Sequence, residues 1–354
     1  MTEQRTYKGA IILTIMSLVL FYMPDLSPRV FWYSSFIGLF IPIGIVLLLV
    51  MFLYWLIKRN RLFIVPLLLL ALNWKFIQRS VTFSKKNTEK EELSILSYNI
   101  RLFNVYPQFA DKTFSTTRKI IDFVKKSEAD VVCLQEFYDY PKDTLFNTIA
   151  RIKKKYKFYY FSNAYTNHVG GTFGMIIFSK YPIKSKGKVV FQEGSNNQTI
   201  YADVEFPQGT VRVYNMHLQS MSIDDKEIAD SHFNSESKTK VMQAFLKYKN
   251  GTINRSIQVD KLVSHIKESP YKVVVCGDLN DPPYSYTYEK LSDVLNNAFE
   301  KKGNGFGVTF NGQLPLLRID QQFCDPNLEV TNFETKSNVS FTDHFPIKAG
   351  YRFK

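Results

Sequence analysis

The chain has 354 residues, of which 45 are Lys or Arg and 32 are Asp or Glu. That length leaves room for a large core and a second region. Three cysteines, an odd number at unhelpful spacing, argue against a disulfide framework or a zinc site, and Cys133 and Cys276 read as buried thiols inside apolar strand-like runs.

The apolar residues are concentrated at the start. Residues 9–24 and 30–57 carry no charge, and a third apolar run, "LFIVPLLLLALNW", follows "KRNR". A helix that crosses a bilayer needs ~20 apolar residues. Three spans are therefore expected, over 9–24, 33–57 and 61–78, the last requiring Lys75 to snorkel. A buried or interfacial helix is the competing reading of the third. After the first run the sequence continues "LFYMPDLSP" without a small-x-small cleavage site, so an uncleaved anchor is expected rather than a signal peptide. Arg5 and Lys8 before the first run, and Lys58, Arg59 and Arg61 before the third, place both segments in the cytoplasm by the positive-inside rule. With three spans, everything after residue 80 lies outside the cytoplasm, as the soluble part of a multi-pass protein of the cytoplasmic membrane. If the third run does not cross, the remainder lies inside, and the basic residues Arg79, Lys85 and Lys86 lean that way.

Residues 1–79 thus read as a membrane anchor, 80–92 as a polar linker and 93–354 as a soluble domain. The first 79 residues hold eight Lys/Arg and two Asp/Glu, which leaves 37 and 30, a net of +7, for the rest. A moderately basic domain suits a phosphate-bearing partner or an anionic membrane surface.

The soluble part alternates strand and helix patterns. "LSILSYNI" (93–100) is strand-like, "TTRKIIDFVKKSEA" (116–129) helical, "DVVCLQEF" (130–137) a buried strand and "KDTLFNTIARIKKK" (142–155) helical. "KFYYFS", "TFGMIIFS", "TIYADVEF" and "VRVYNMHL" follow as strands. After a long polar loop, residues 236–268 read as helical, as two helices interrupted near Gly251. "KVVVCGDLN", "GVTF", "LLRIDQQF" and "PIKAGYRF" are the last strands. The pattern predicts an α/β fold in which two packed β-sheets are flanked by helices, a four-layer α/β sandwich, preceded by the transmembrane helices.

Acid, base and amide side chains recur where these strands end. "ILSYN" ends in Asn99, "VVCLQE" in Glu136, "RVYNMH" in His217, "VVVCGDLN" in Asp278 and Asn280, and "LLRID" in Asp320, while "TDHFPI" puts Asp343 and His344 just before the final strand. Each one alone is ordinary turn or strand-end chemistry. Six such endings are not, because residues at several strand ends can meet in one crevice. His168, His232 and His265 have no such setting and read as structural or solvated.

The ordered set "SYNIR", "CLQE", "HLQS", "GDLND", "RID" and "TDHFPI" resembles the endonuclease/exonuclease/phosphatase superfamily over roughly residues 93–354. The resemblance implies a metal-dependent hydrolase of phosphodiesters or phosphomonoesters. It implies Mg²⁺ as cofactor, with Mn²⁺ or Ca²⁺ also admissible, held by Glu136 with help from Asn99 and a further carboxylate at Asp343. It implies that Asp278 activates the attacking water, with Asn280 on the phosphate or nucleophile. His344 would contact the phosphate, oriented by Asp320, and His217 would serve as a phosphate contact or general acid. "RIDQQF" departs from the family pattern, in which Tyr or His and an aliphatic residue follow the aspartate, and so questions the strand register there. "HLQS" resembles the sphingomyelinase-like branch. Substrates in view are therefore nucleic acid outside the cytoplasm or a phospholipid headgroup, with an inactive binding module as the third reading and no protein partner implied.

Overall fold

The computed structural model describes residues 2–84, 90–106, 113–191, 197–220, 235–312 and 316–354. Five helices come first: α1 (Thr2–Tyr22), α2 (Tyr33–Gly38), α3 (Ile41–Ile57), α4 (Ile64–Leu72) and α5 (Trp74–Ser80). The strands are β1 (Thr82–Phe83), β2 (Leu93–Asn99), β3 (Val131–Asp139), β4 (Phe158–Thr166), β5 (Thr172–Ser179), β6 (Ile183–Val189), β7 (Gln198–Phe206), β8 (Gly209–His217), β9 (Lys272–Asp278), β10 (Asn296–Asn297), β11 (Asn304–Gly305), β12 (Asp320–Cys324), β13 (Leu328–Thr335) and β14 (Ile347–Phe353). Among them lie α6 (Ser115–Lys126), α7 (Thr148–Ile152), α8 (Ser235–Lys267), α9 (Tyr286–Ser292) and α10 (Ala298–Lys302).

Two six-stranded mixed sheets form, in the orders β13-β14-β2-β3-β5-β4 and β10-β12-β9-β8-β7-β6. Among the described residues, only β2–β3 and β8–β9 pair in parallel. The central strands are apolar on both faces, which a sheet covered on one side only would not tolerate. Along β3, Val131 and Cys133 face the other sheet while Val132 and Leu134 face α6. Along β9, Val274 and Cys276 point inward while Val273 and Val275 meet Val259, Leu262 and Val263 of α8. The expected helix–sheet–sheet–helix layering follows from this alternation.

Several elements differ from the sequence pattern for local reasons. The helix expected over 142–155 shrinks to α7, because Asp143 Oδ1 accepts from the N–H groups of Leu145 and Phe146, both at 2.7 Å, and holds that segment as a turn. Conversely, α8 runs unbroken through Gly251. A mid-helix glycine costs only ~1 kcal/mol relative to alanine, and the packing of Val259, Leu262 and Val263 offsets it. "GVTF" forms only an isolated bridge between Phe310 and His344, and β6 and β13 had no clear alternation to announce them. The polar loop before α8, with His232, lies outside the described residues.

The N-terminal region also departs from three straight spans. Among the described residues, only Tyr7–Asp25 is both long and apolar enough to cross a membrane as one helix. The second stretch divides into α2 and α3, where Pro42 sits in the first turn of the new helix. The third bends by 67° at Asn73, whose side chain donates to Leu69 O at 2.8 Å.

This region packs firmly on the sandwich. Phe21, Ile41, Ile45, Leu48, Leu69, Leu70 and Phe76 cluster with Tyr284. Gly38 is forced by its surroundings, since a Cβ there would lie 2.6 Å from Tyr284 O. Arg79 is buried and pairs with Glu289 at 2.6 Å and Glu300 at 3.3 Å. The segment expected as a linker is tied at both ends, by pairing of β1 with β11 and by Glu91, which accepts from Asn332 and Lys348.

Candidate active site

The strand registers bring the polar strand ends together. Asp278 is level with His217 across the parallel pair β8–β9 and with Asp320 across the antiparallel pair β9–β12. In the facing sheet Asn99 is level with Gln135, next to Glu136. The two sheets therefore end at one common edge, and His344, just before β14, closes it.

Asp278 Oδ2 is the meeting point. Asn99 Nδ2 donates to it at 3.2 Å, and His217 Nε2 and His344 Nε2 each stand 3.8 Å away. The last two distances are too long for hydrogen bonds and suit an intervening oxygen. Asp278 Oδ1 accepts from Asn280 N–H at 2.8 Å, so the carboxylate is fixed from both sides. Glu136 Oε1 lies 3.1 Å from Asn99 Nδ2 and 3.7 Å from His217 Nε2. Asp320 Oδ2 meets His344 Nδ1 at 2.9 Å. Asn280 instead donates its amide to Leu218 O, bracing one loop against the other. Asp343 pairs with Arg101 at 3.2 Å, on the rim of a 510 Å³ groove lined also by Asn104, Lys119, Asn311 and Thr342. A larger depression of 760 Å³, beside Glu91, Lys302, Asn332, Glu334 and Lys348, contains none of these residues.

Backbone strain concentrates here. Glu136 has φ 49°, Asn280 φ 54° and the four residues Arg101–Asn104 φ 46–55°. Left-handed backbone costs a non-glycine residue ~1–2 kcal/mol. At Glu136 it comes from a bulge between Leu134 and Phe137 that turns the carboxylate toward the crevice. At Arg101–Asn104 the turn is held by Thr117 Oγ1 donating to Phe103 O and Asn104 Nδ2 to Phe341 O. Gly277, beside Asp278, has φ 135°, and a Cβ there would sit 2.0 Å from Met216 O, so only glycine fits.

His344 is buried between carboxylates. Burial alone would lower its pKa, but the charges of Asp320 and Asp278 and the Asp320 hydrogen bond outweigh burial and push it up to about 10. Burial lifts the Asp320 carboxyl above its ordinary range, and the imidazolium beside it holds that rise back.

Which residues fit a metal follows from donor chemistry. Asp278, Asp320 and His344 each offer an atom within 4.8 Å of the others. With no cation there, His344 and Asp320 form an ion pair with Asp278 beside it, and a cation bound to the trio would have to displace the imidazole proton. Glu136 fits a hard cation better: its carboxylate is about one-third exposed and has room for waters. Asn99 turns its NH₂ to both carboxylates and its Oδ1 to Arg101 N–H, and so orients Glu136.

Sequence reading missed the interior supports of this edge. Gln322, from the departing "RIDQQF", spans the two sheets: it donates to Ile95 O and Ile347 O and accepts from Tyr351 Oη at 2.8 Å. The register of β12 is regular. Gln135 and Asn215 form a second such link at 2.6 Å. Thr309 Oγ1 accepts from Ile319 and Asp320 N–H. Their only signal in the sequence was amide or hydroxyl residues inside apolar strands.

The sequence model of the Endonuclease/Exonuclease/phosphatase family matches residues 96–344. The chain belongs to this family. The family's shared chemistry is phosphoester hydrolysis. A second match, to a domain of unknown function, covers residues 6–80. No curated protein matches the chain. Among solved structures, the endonuclease/exonuclease/phosphatase from Beutenbergia cavernae DSM 12333 is 18% identical, with TM-score 0.54 over 75% of this chain and 72% of that one. The human Nocturnin catalytic domain with bound sulfate is 15% identical, with TM-score 0.52 over 75% and 97% of the two chains. Humanized D. rerio TDP2 is 17% identical, with TM-score 0.51 over 73% and 98%. These likenesses establish the family's fold.

Proposed function

We propose that the protein is a membrane-anchored, divalent-cation-dependent phosphoesterase. The observation that carries the reading is the convergence of Asn99, Glu136, His217, Asp278, Asp320 and His344 at one sheet edge. A cation held by Glu136, Mg²⁺ in the first instance, would neutralise phosphate charge and stabilise the leaving oxygen. Asp278 Oδ2 takes the proton of the attacking water, in an orientation set by Asn99 and Asn280 N–H. His344, kept cationic by Asp320, stabilises charge on the phosphate oxygens. His217 Nε2 contacts the phosphate on the opposite side of Asp278 and protonates the leaving oxygen. Asn280 braces the loop that carries Asp278, and Asp343 contributes charge from the rim through Arg101. Water thus adds across one P–O ester bond without another co-reactant.

Turnover of a panel of plasmid DNA, RNA, sphingomyelin, inositol phosphates and bis(p-nitrophenyl) phosphate, with Mg²⁺ and with EDTA, tests the reaction class. Hydrolysis that EDTA abolishes is the expected result. Glu136→Gln is expected to raise the Mg²⁺ concentration for half-maximal rate by ~10-fold or more with unfolding temperature unchanged. Full activity with the same Mg²⁺ dependence would remove Glu136 from the site.

Membrane anchoring is supported by an apolar surface too large for water. Ile11, Ile15, Leu18, Val46, Val50, Leu53, Leu67 and Leu68 are all exposed, and monomeric soluble proteins rarely expose patches beyond a few hundred Å². In this reading α1, α3 and the bent α4–α5 pair make up the anchor, residues 1–79, and 93–354 form the catalytic domain. The basic "KRNR" turn follows α3, and the positive-inside rule applied to it favours a catalytic domain outside the cytoplasm. A reporter active only outside the cytoplasm should give signal when fused after residue 354 and none after Arg59; the reverse pattern would put the domain inside.

A further inference from the structure

We propose that the substrate is a phosphoester carried by a lipid headgroup in the leaflet beside the catalytic domain, and that the N-terminal half of α8 rests on that leaflet. This rests on the membrane-anchored phosphoesterase reading.

The anchor docks at the catalytic edge rather than at the far end of the sandwich. Gly38 abuts Tyr284, six residues beyond Asp278. Arg318, two residues before Asp320, donates to Arg79 O. The loops that present Asp278 and Asp320 are thus the loops that touch the anchor, and the crevice lies within one loop's reach of the bilayer.

Helix α8 joins the same rim to the membrane. Arg255 is fully buried, pairs with Asp281 at 2.7 Å and donates to Gln219 O at 2.8 Å, two residues after His217. Gln258 accepts from Gln219 N–H at 2.9 Å. Before Gly251 the helix leaves the sandwich. There Val241, Met242 and Leu246 are 56%, 58% and 48% exposed. At 3.6 residues per turn they share one side of the helix with Phe245 and Tyr248, within less than half its circumference. Phe245 packs on Trp32 and Phe36, with ring centroids 4.7 and 5.8 Å apart, and Tyr248 packs on Phe36 at 6.3 Å.

Trp32, Tyr33, Phe36 and Phe40 lie between α1 and the start of α3, on the sandwich side of the anchor. Aromatic residues at that level mark the headgroup region of a bilayer. The apolar side of α8 is therefore continuous with the anchor's membrane surface at headgroup depth. Lys240, Lys247 and Lys249 on the same segment suit anionic headgroups. A nucleic-acid partner would use the lysines but leave the three aliphatic side chains without purpose.

The test uses the full chain in nanodiscs of phosphatidylcholine, phosphatidylglycerol and sphingomyelin. Cys133, Cys276 and Cys324 are buried, so a polarity-sensitive dye attached at Met242→Cys is selective. The dye should be blue-shifted, quenched by doxyl-labelled lipid and protected from iodide, whereas a dye at Lys301→Cys should show the reverse. Accessibility of position 242 to iodide, or a blue shift without lipid quenching as a second protein copy would give, overturns the proposal. For activity, release of water-soluble phosphorus from the nanodisc lipids is compared with hydrolysis of bis(p-nitrophenyl) phosphate. The double variant Val241→Glu, Leu246→Glu should lose ~10-fold or more of the lipid activity and keep the soluble activity. Equal loss on both, or soluble hydrolysis by the native chain with no lipid cleaved, overturns the lipid proposal and leaves the phosphoesterase reading standing. Failure on both substrates by the native chain removes the phosphoesterase reading itself.

Discussion

Asp278→Asn is expected to lower turnover by ~10²–10⁴-fold, the range a general base supplies, while leaving the fold and its unfolding temperature nearly unchanged. The substitution keeps the shape, and Asn Oδ1 can still accept from Asn280 N–H as Asp278 Oδ1 does at 2.8 Å. What disappears is the negative charge at Oδ2, on which Asn99, His217 and His344 converge. A neutral amide cannot take a proton from water at this position. Loss is expected in kcat more than in KM, since the proton moves in the transition state. Single-turnover rates with Mg²⁺ held saturating make the measurement. A rate within tenfold of the native enzyme would show that the carboxylate at the centre of the cluster only holds the strands in register.

The pair Asp320–His344 is the second test, because the two act as one unit. His344→Ala should cost ~10²–10³-fold in turnover, the scale of a lost charge-stabilising donor. Asp320→Asn should lose most activity as well, and the double variant should be little worse than His344→Ala. Losses that multiply in the double variant would show that the residues do not act together. The titration of His344 gives an independent readout. Its pKa is raised from 6.5 to about 10. A group raised on folding contributes stability that is fully present below pH 6.5 and is lost as pH rises through about 10. NMR of the imidazole should show His344 protonated through neutral pH in the native chain, and the Asp320→Asn variant should titrate lower. An unshifted titration in that variant would contradict the pairing.

The layered fold was legible because β2, β3 and β9 are apolar on both faces, a pattern that few architectures bury. The strand-end residues were legible as a set because each follows such a run. Their mutual distances were not, since register across β8–β9–β12 is fixed by pairing between segments far apart in sequence. Glu136 illustrates the limit: its bulge comes from the β3–β5 pairing, which a single strand does not reveal. Gln322 was misjudged in kind, as a departure that questioned the strand, whereas it joins the two sheets from within. In the N-terminal region hydropathy located the apolar runs but not the bend at Asn73, which depends on one side chain turning back to Leu69 O.

Arg79 has a bearing on how the chain assembles. Its partners Glu289 and Glu300 come more than 200 residues later, as does Arg318, which binds its carbonyl. The end of α5 can therefore reach its final position only after nearly the whole chain has been synthesised. Until then a guanidinium destined for burial stays hydrated, and two glutamates wait for it. Breaking such a buried pair from one side costs ~3–5 kcal/mol, a large share of a domain's net stability. Long-range closures of this kind form late and slowly. The first 80 residues are thus less a leash than the last piece of a latch, and a chain interrupted before α9 would leave it open.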